Sequence, residues 1–442
     1  MIPKASGLLD KLGKPEFIVI LLKSGGIKIA SVAVVFLTSV FLSRVLTPEG
    51  YGIYTYAFSI AMLASLPLHG GLASLIVRSV AQYQVNSRWS FIKGIKRRAN
   101  QLVIVGSLLV GIVLFLFYKD LDNTAARLSH NASLLIIPII SLAAIRTALL
   151  RGFNKPIWGQ LPDDIVRPYC WLALLVVVYN YSFISPQVVM GMHVIAAFIA
   201  LVVGQKFLIN EMPVAVKKAG VEYENHTWLK GMLPFTVIAG IQMINSQLDV
   251  LMIGLMLNHS DVGVYQVAAQ IVTLISFPLI IVNYVVAQKF AVQFSLKESA
   301  KVQKIIYDTA KIVVIISVPM AILFIMFGEV FIRLVFGAVY STSYTPLVIL
   351  VCGQLVNALM GSVAILLNMA GHETYVAKGF GMSVLLNIIL NLFLVPEWGI
   401  AGAATATAIT IIVWNLYMAR ALWVKESLKA GVFSLIGSQV IG

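Results

Sequence analysis

Leu42 to Ala57 reads LSRVLTPEGYGIYTYA, and Ile253 to Ala268 reads IGLMLNHSDVGVYQVA. Tyr51-Gly52-Ile53-Tyr54 falls on Val262-Gly263-Val264-Tyr265 at an offset of 211. The same offset lays Ala81-Gln82-Tyr83 on Val292-Gln293-Phe294, and a basic link follows each. Farther on, Leu150-Arg151-Gly152 falls on Met369-Ala370-Gly371 at an offset of 219, so the copies differ slightly in length. Three patches in order, at nearly one offset, predict a duplicated unit.

What each copy contains follows from the runs around these patches. Of 442 residues, 60% are hydrophobic and 11% charged, against about 25% charged in a soluble domain. Water cannot be the solvent for so much apolar surface, so a bilayer is. Secreted, cytosolic and nucleic-acid-bound globular proteins are thereby excluded. A span takes about 20 apolar residues, which predicts roughly twelve helices centred on 18–44, 52–77, 101–118, 133–151, 162–180, 186–208, 230–257, 262–288, 311–336, 345–370, 375–395 and 399–423. Six per copy is an even number, so both copies enter the membrane in the same sense. The prediction is an all-α membrane protein of two parallel-repeat six-helix lobes, a form that works by rocking one lobe against the other. The lobes fall at 1–208 and 230–442, with the polar stretch 209–229 as a cytoplasmic linker.

The net charge of +14 sets orientation. With the N-terminus inside, cytoplasmic links collect Arg78, Arg88, Lys93, Lys96, Arg97 and Arg98, then Lys206, Lys217, Lys218 and Lys230, then Lys289, Lys297, Lys301, Lys304 and Lys311. The other side holds little beyond Arg44, Lys119, Arg127 and Arg333. Both termini are expected in the cytoplasm, and the first apolar run reads as a retained span without a cleavage site. Cys170 and Cys352 lie in apolar runs and read as buried thiols, with no disulfide framework or metal cluster. Asp120-Leu121-Asp122 reads as a solvated acidic loop. No phosphate-cradling loop, HExxH or serine elbow is present, which argues against a pump or a membrane hydrolase.

A charge in mid-span costs roughly 2.5–3.5 kcal/mol on insertion scales. Lys28 shares a stripe with Ser24, Ser31 and Thr38; Asp249 shares one with Gln242 and Asn245. In the repeat, Lys28 falls on Ala239 and Asp249 on Thr38, so the duplicated fold itself requires neither charge. Gln266, Gln270 and Thr273 form a further stripe, as do Gln354, Asn357, Gly361 and Asn368, and Ser383, Asn387 and Asn391. These amides and hydroxyls suit either a wet cavity for sugars or interhelical hydrogen bonding at about 0.6 kcal/mol each. Lys23, Arg146 and Arg151, near cytoplasmic helix ends, read either as snorkelling to headgroups or as a basic mouth that captures a diphosphate. Asp163, Asp164 and Arg167 read as a local charge cluster, and His69 receives no role.

The segments LSRVLTPEGYGIY, the basic link after the second span, and NSQLDVLMIG followed by VGVYQVA resemble Wzx-type oligosaccharide flippases. These form the polysaccharide-biosynthesis branch of the multidrug/oligosaccharidyl-lipid/polysaccharide exporter superfamily. The resemblance covers essentially the whole chain through loose motifs. It implies two six-helix lobes around a central cavity, lined mainly by the first two helices of each lobe. It also implies translocation of a polyprenyl-diphosphate-linked oligosaccharide across the bacterial inner membrane for O-antigen, capsule or exopolysaccharide assembly. On that reading Lys28 meets the diphosphate or acidic sugars, and Asp249 is a counter-ion for Lys28 or a carboxylate coupling transport to a proton or sodium gradient. No cofactor is implied, and polymerase and glycosyltransferases of the pathway are the protein partners to expect. An ion-coupled drug or metabolite antiporter, a membrane polymerase or glycosyltransferase, and a non-transporting scaffold are the competing readings.

Overall fold

A computed structural model describes residues 15–119, 121–181 and 184–436, with side chains described from residue 25 onward except at 284, 285 and 288. Asp120 of the acidic loop therefore lies outside the described residues, as do the side chains of Lys23 and Ser24. Every regular element among the described residues is helical. The first six spans come from α1 (Pro15–Val45), α2 (Pro48–Val85), α3 (Trp89–Tyr118), α4 (Thr124–Ser133) with α5 (Ile136–Gly152), α6 (Pro156–Leu161) with α7 (Arg167–Tyr181), and α8 (Pro186–Glu211). After a short α9 (Val214–Lys218), the second copy has α10 (Asn225–Met256), α11 (His259–Ser295) and α12 (Ser299–Val335). It continues with α13 (Tyr344–Met360), α14 (Val363–Met369), α15 (Glu373–Glu426) and α16 (Phe433–Ile436).

Among the described residues, ten helices are long and apolar enough to cross a membrane. The twelve expected from sequence are recovered from two local features. α15 has 54 residues, about 80 Å at 1.5 Å per residue, far more than a bilayer of about 30 Å needs. It breaks at Gly399, where φ is 56° and ψ −136°, a backbone geometry that glycine alone adopts at little cost. Pro396 precedes that corner, and Gly402 packs so closely on the Leu394 carbonyl that a Cβ there would lie 2.1 Å from the oxygen. The fifth span is interrupted instead by a π-helical turn, Pro162–Val166, between α6 and α7, so no single stretch meets the length test.

The duplication extends to the caps. Thr47 accepts from the Gly50 amide at 3.1 Å to start α2, and Asn258 accepts from the Asp261 amide at 3.0 Å to start α11, again 211 residues on. Pro67 inside α2 and Pro278 inside α11 stand at the same offset. A mid-helix proline leaves a carbonyl without its donor, which a membrane helix tolerates where neighbouring groups compensate.

The chain divides into two compact units, Gly26–Gln247 and one built on Leu248–Gly442. The division falls inside α10, not in the polar stretch before it, because that stretch is pinned to α3. Lys93 Nζ donates to the carbonyls of Lys217 (3.1 Å) and Ala219 (2.6 Å), and the Glu222 amide donates to Ser90 O. Trp228 Nε1 donates to Tyr83 OH (2.9 Å), whose own proton goes to Glu224 (2.8 Å). Each unit has its own core. Ile76, Val80, Ile95 and Leu149 anchor the first, and Phe290, Val302, Leu367 and Leu422 the second.

The apolar excess in the composition faces outward. Leu108, Leu109, Ile112 and Phe117 on α3 and Ile315, Met326 and Val330 on α12 are all more than half exposed, which suits a hydrocarbon surround. Cys352 on α13 is exposed as well and Cys170 on α7 half-buried. The expectation of two buried thiols is corrected: an apolar residue in a membrane span can face outward as readily as inward.

Candidate functional site

Two polar constellations stand out, one inside each unit. In the first unit the π-helical turn presents consecutive carboxylates in different directions. Asp163 Oδ2 lies 2.6 Å from Arg146 Nη2, and Asp164 Oδ1 lies 3.1 Å from Lys28 Nζ. A π turn widens the helix locally, a distortion that recurs at functional sites. Arg146 comes from α5 and is 2% exposed. Its Nη1 donates to the Ala200 carbonyl at 3.1 Å, and Thr147 Oγ1 also reaches Asp163 Oδ2 at 3.0 Å. Room for the guanidinium exists because Gly204 on α8 faces it; a Cβ there would lie 1.8 Å from Arg146 Nη1.

Arg146 is thus an interior ion-paired group, and the reading that sets it at a cytoplasmic mouth does not match its position. Arg151, one turn on, is exposed. It lines a cavity of about 470 Å³ together with Ser74, Thr147, Asp163 and Arg167. The guanidinium groups of Arg151 and Arg167 make no hydrogen bond or ion pair among the described residues, although the Asn154 amide donates to the Arg151 carbonyl and the Arg167 amide to Pro162 O. Of the local charge cluster expected at Asp163, Asp164 and Arg167, Asp163 and Arg167 line this cavity, while Asp164 pairs with Lys28. Lys28 is partly exposed and its carboxylate partner is Asp164, not Asp249. Ser31, one turn away on α1, is buried. His69 meets Ser141 Oγ at 3.3 Å.

In the second unit Asp249 on α10 accepts at Oδ2 from Tyr265 OH on α11 and from Thr407 Oγ1 on the second limb of α15, both at 2.6 Å. Asn387 Nδ2 donates to Thr407 Oγ1 at 3.0 Å, and Asn391 Nδ2 donates to Asn387 Oδ1 at 2.7 Å. The other carboxylate oxygen, Asp249 Oδ1, is buried without a hydrogen bond of full geometry, as is Asn391 Oδ1, although the Asn387 and Asn391 amides stand beside the carboxylate. This arrangement depends on the Gly399 corner, which brings Asn387 and Thr407 from one helix into contact. The oxygen-rich set suits a hard cation or a proton. Among the described residues no cluster of three or more His, Cys, Asp or Glu is placed to hold a metal ion.

The remaining candidates are dispersed. Gln242 is exposed; Asn245 and Gln270 are half-buried. Asn357 donates to Gln354 (3.1 Å) and accepts from the fully buried Asn415 (3.1 Å), a helix-to-helix tie between α13 and α15. Sequence reasoning missed Tyr265, Thr407 and the cavity role of Arg167. Tyr265 had a signal, since it is the repeat counterpart of Tyr54, which bonds His193 Nδ1 at 2.9 Å in the first unit. Thr407 sits among alanines and threonines with nothing to mark it.

A helical membrane chain of two six-span copies, one bearing a cationic cavity and the other a buried carboxylate network, defines the transporter class. Residues 21–287 match the family described as "Polysaccharide biosynthesis protein", and the chain belongs to that family. It is 22% identical over 386 residues to a Shigella flexneri protein named "Putative O-antigen transporter", covering 84% of this chain and 89% of that one. It is 24% identical over 281 residues to the "Probable low-salt glycan biosynthesis flippase" of Haloferax volcanii, covering 63% and 58%. The fold is similar to that of a structure described as the lipid II flippase MurJ in an inward closed conformation, with TM-score 0.73 at 17% identity over 95% of this chain and 91% of that one. An inward-facing multidrug resistance transporter of the MOP superfamily also gives a TM-score of 0.73, at 13% identity over 90% of this chain and 94% of that one.

Proposed function

We propose that the protein is a flippase that moves a polyprenyl-diphosphate-linked oligosaccharide from the cytoplasmic to the outer leaflet of a bacterial inner membrane, by alternating access, for surface polysaccharide assembly. The observation that carries this is the cavity where Arg151 and Arg167, lacking carboxylate partners, stand beside the hydroxyls of Ser74 and Thr147. A diphosphate and several sugars cannot cross hydrocarbon unaided, since each unsatisfied polar group costs several kcal/mol. Arg151 and Arg167 supply bidentate donors for phosphoryl oxygens. Lys28, held by a partly exposed carboxylate, is positioned to exchange Asp164 for an anionic sugar or phosphate. Both termini lie in the cytoplasm on this reading, and the pathway's polymerase and glycosyltransferases are its neighbours.

Asp249 is the coupling group. Its Oδ1, with Asn391 Oδ1 and Thr407 Oγ1, would take a proton or a sodium ion and release it as the second unit changes conformation. The same network favours the second reading, an ion-coupled antiporter of drugs or metabolites. Reconstitution in liposomes separates the two. Inner-to-outer movement of a polyprenyl-diphosphate glycan, faster under a pH or sodium gradient, is the expected result. Absence of movement under every gradient, with cationic drugs transported instead, would overturn the flippase reading.

A further inference from the structure

The C-terminal end of α15 carries a cavity that neither constellation uses. Leu416, Ala419, Arg420 and Trp423 follow one another at i, i+3, i+4 and i+7, so they form a single helical stripe. The stripe is open: Leu416 and Trp423 are 47% and 54% exposed. The second wall is the segment after the helix. The chain reverses at Ser427, whose φ is 56°, a left-handed residue of the kind that ends helices. It is then tied back by a reciprocal pair of hydrogen bonds: the Lys429 amide donates to Gln303 Oε1 (2.8 Å), and Gln303 Nε2 donates to the Lys429 carbonyl (3.1 Å). A further bond runs from the Val432 amide to the Leu359 carbonyl at 2.7 Å. Lys429 and Phe433 then face the stripe across a trough of about 520 Å³.

The charges sort themselves. Glu426 accepts from His372 Nε2 at 2.8 Å, and Lys425 sits 5.6 Å over the Tyr375 ring. That leaves Arg420 and Lys429, whose side chains have no hydrogen bond or ion pair among the described residues. Both flank an apolar trough with a tryptophan at its edge. An apolar trough alone takes any lipid tail and a bare cation pair takes any anion. Together they select a ligand with one anionic phosphate joined to acyl chains.

We infer that this trough is a binding site for an acidic phospholipid, with Arg420 and Lys429 on the headgroup phosphate and the chains along Leu416, Trp423 and Phe433. The site is separate from the substrate cavity in the first unit and does not depend on what the protein transports. A resident lipid there joins the helix end to the reversed segment and so completes one wall of the second unit.

The full chain, reconstituted in phosphatidylcholine, is titrated with brominated phosphatidylglycerol or brominated phosphatidylcholine. The quenching lost in Trp423→Phe isolates this tryptophan from the other six. A cation at the membrane surface favours anionic lipid by roughly fivefold. A preference for phosphatidylglycerol of about that size or more is expected, falling to near parity in the Arg420→Gln, Lys429→Gln double variant. The charge-keeping Arg420→Lys, Lys429→Arg variant retains the preference and controls for folding. Equal quenching by the two lipids overturns the proposal, as does a preference that survives the double variant. Complete displacement by an equal mole fraction of polyprenyl diphosphate would overturn it too, by giving the trough to the substrate.

Discussion

Two cations with similar sequence surroundings have opposite physical roles. Arg146 is buried with its guanidinium closed by Asp163, Thr147 and the Ala200 carbonyl, so Arg146→Ala leaves a carboxylate without its partner. A loss of about 3–5 kcal/mol is expected, read as a lowered thermal midpoint in detergent. Lys28 is 38% exposed in its pair with Asp164. Lys28→Ala should cost less than about 1 kcal/mol while abolishing glycan export; unchanged export would remove it from the site. Asp249→Asn keeps an acceptor for Tyr265 and Thr407 but gives up the charge. The expected result is glycan movement at the same rate with and without a gradient, against acceleration in the unchanged protein. A variant that still responds to both gradients would take Asp249 out of coupling.

Helix ends and corners, more than helix interiors, position these groups. Without the Gly399 corner the two limbs of α15 could not bring Asn387 within 3.0 Å of Thr407, and Asp249 would lose a donor. Gly399→Ala is expected to cost about 1–3 kcal/mol for the enforced backbone. It should also weaken the gradient response, measured in the same liposomes. A destabilised but fully coupled variant would separate the corner from the site. The π-helical turn has the matching function in the first unit, where adjacent aspartates serve cations from two different helices. Both features were hidden in the sequence. Pro162-Asp163-Asp164 reads as an interfacial cluster, and Pro396 to Gly399 as an ordinary link between two spans. The caps at Thr47 and Asn258 emerged only from the structure, although Thr and Asn are residue types that side-chain capping favours.

At the scale of the molecule, the polar stretch between the two copies is a docked segment of the first unit, held by Lys93, Tyr83 and Trp228. The division between the units falls within α10, and it also cuts α1 after Gly25. The distribution of lysines predicts that the links after the second, sixth and eighth spans share the cytoplasmic face. In a chain carrying Cys170→Ser and Cys352→Ser, Lys301→Cys should react only with reagents that enter the cell, and Arg333→Cys with impermeant ones. The reverse pattern would invert the topology.

Composition and hydropathy determined the membrane class, the spans and the existence of charges that need a reason, because hydrocarbon imposes those rules on any chain of this kind; the duplication was legible in segments that align at nearly one offset. Partnership was decided by tertiary structure. Lys28 and Asp164 are 136 residues apart, and Asp249 and Thr407 are 158 apart; hydropathy carries no information about which helices meet. Whether Arg146 faced a mouth or a carboxylate depended on a glycine at 204, on another helix, that leaves space for one guanidinium.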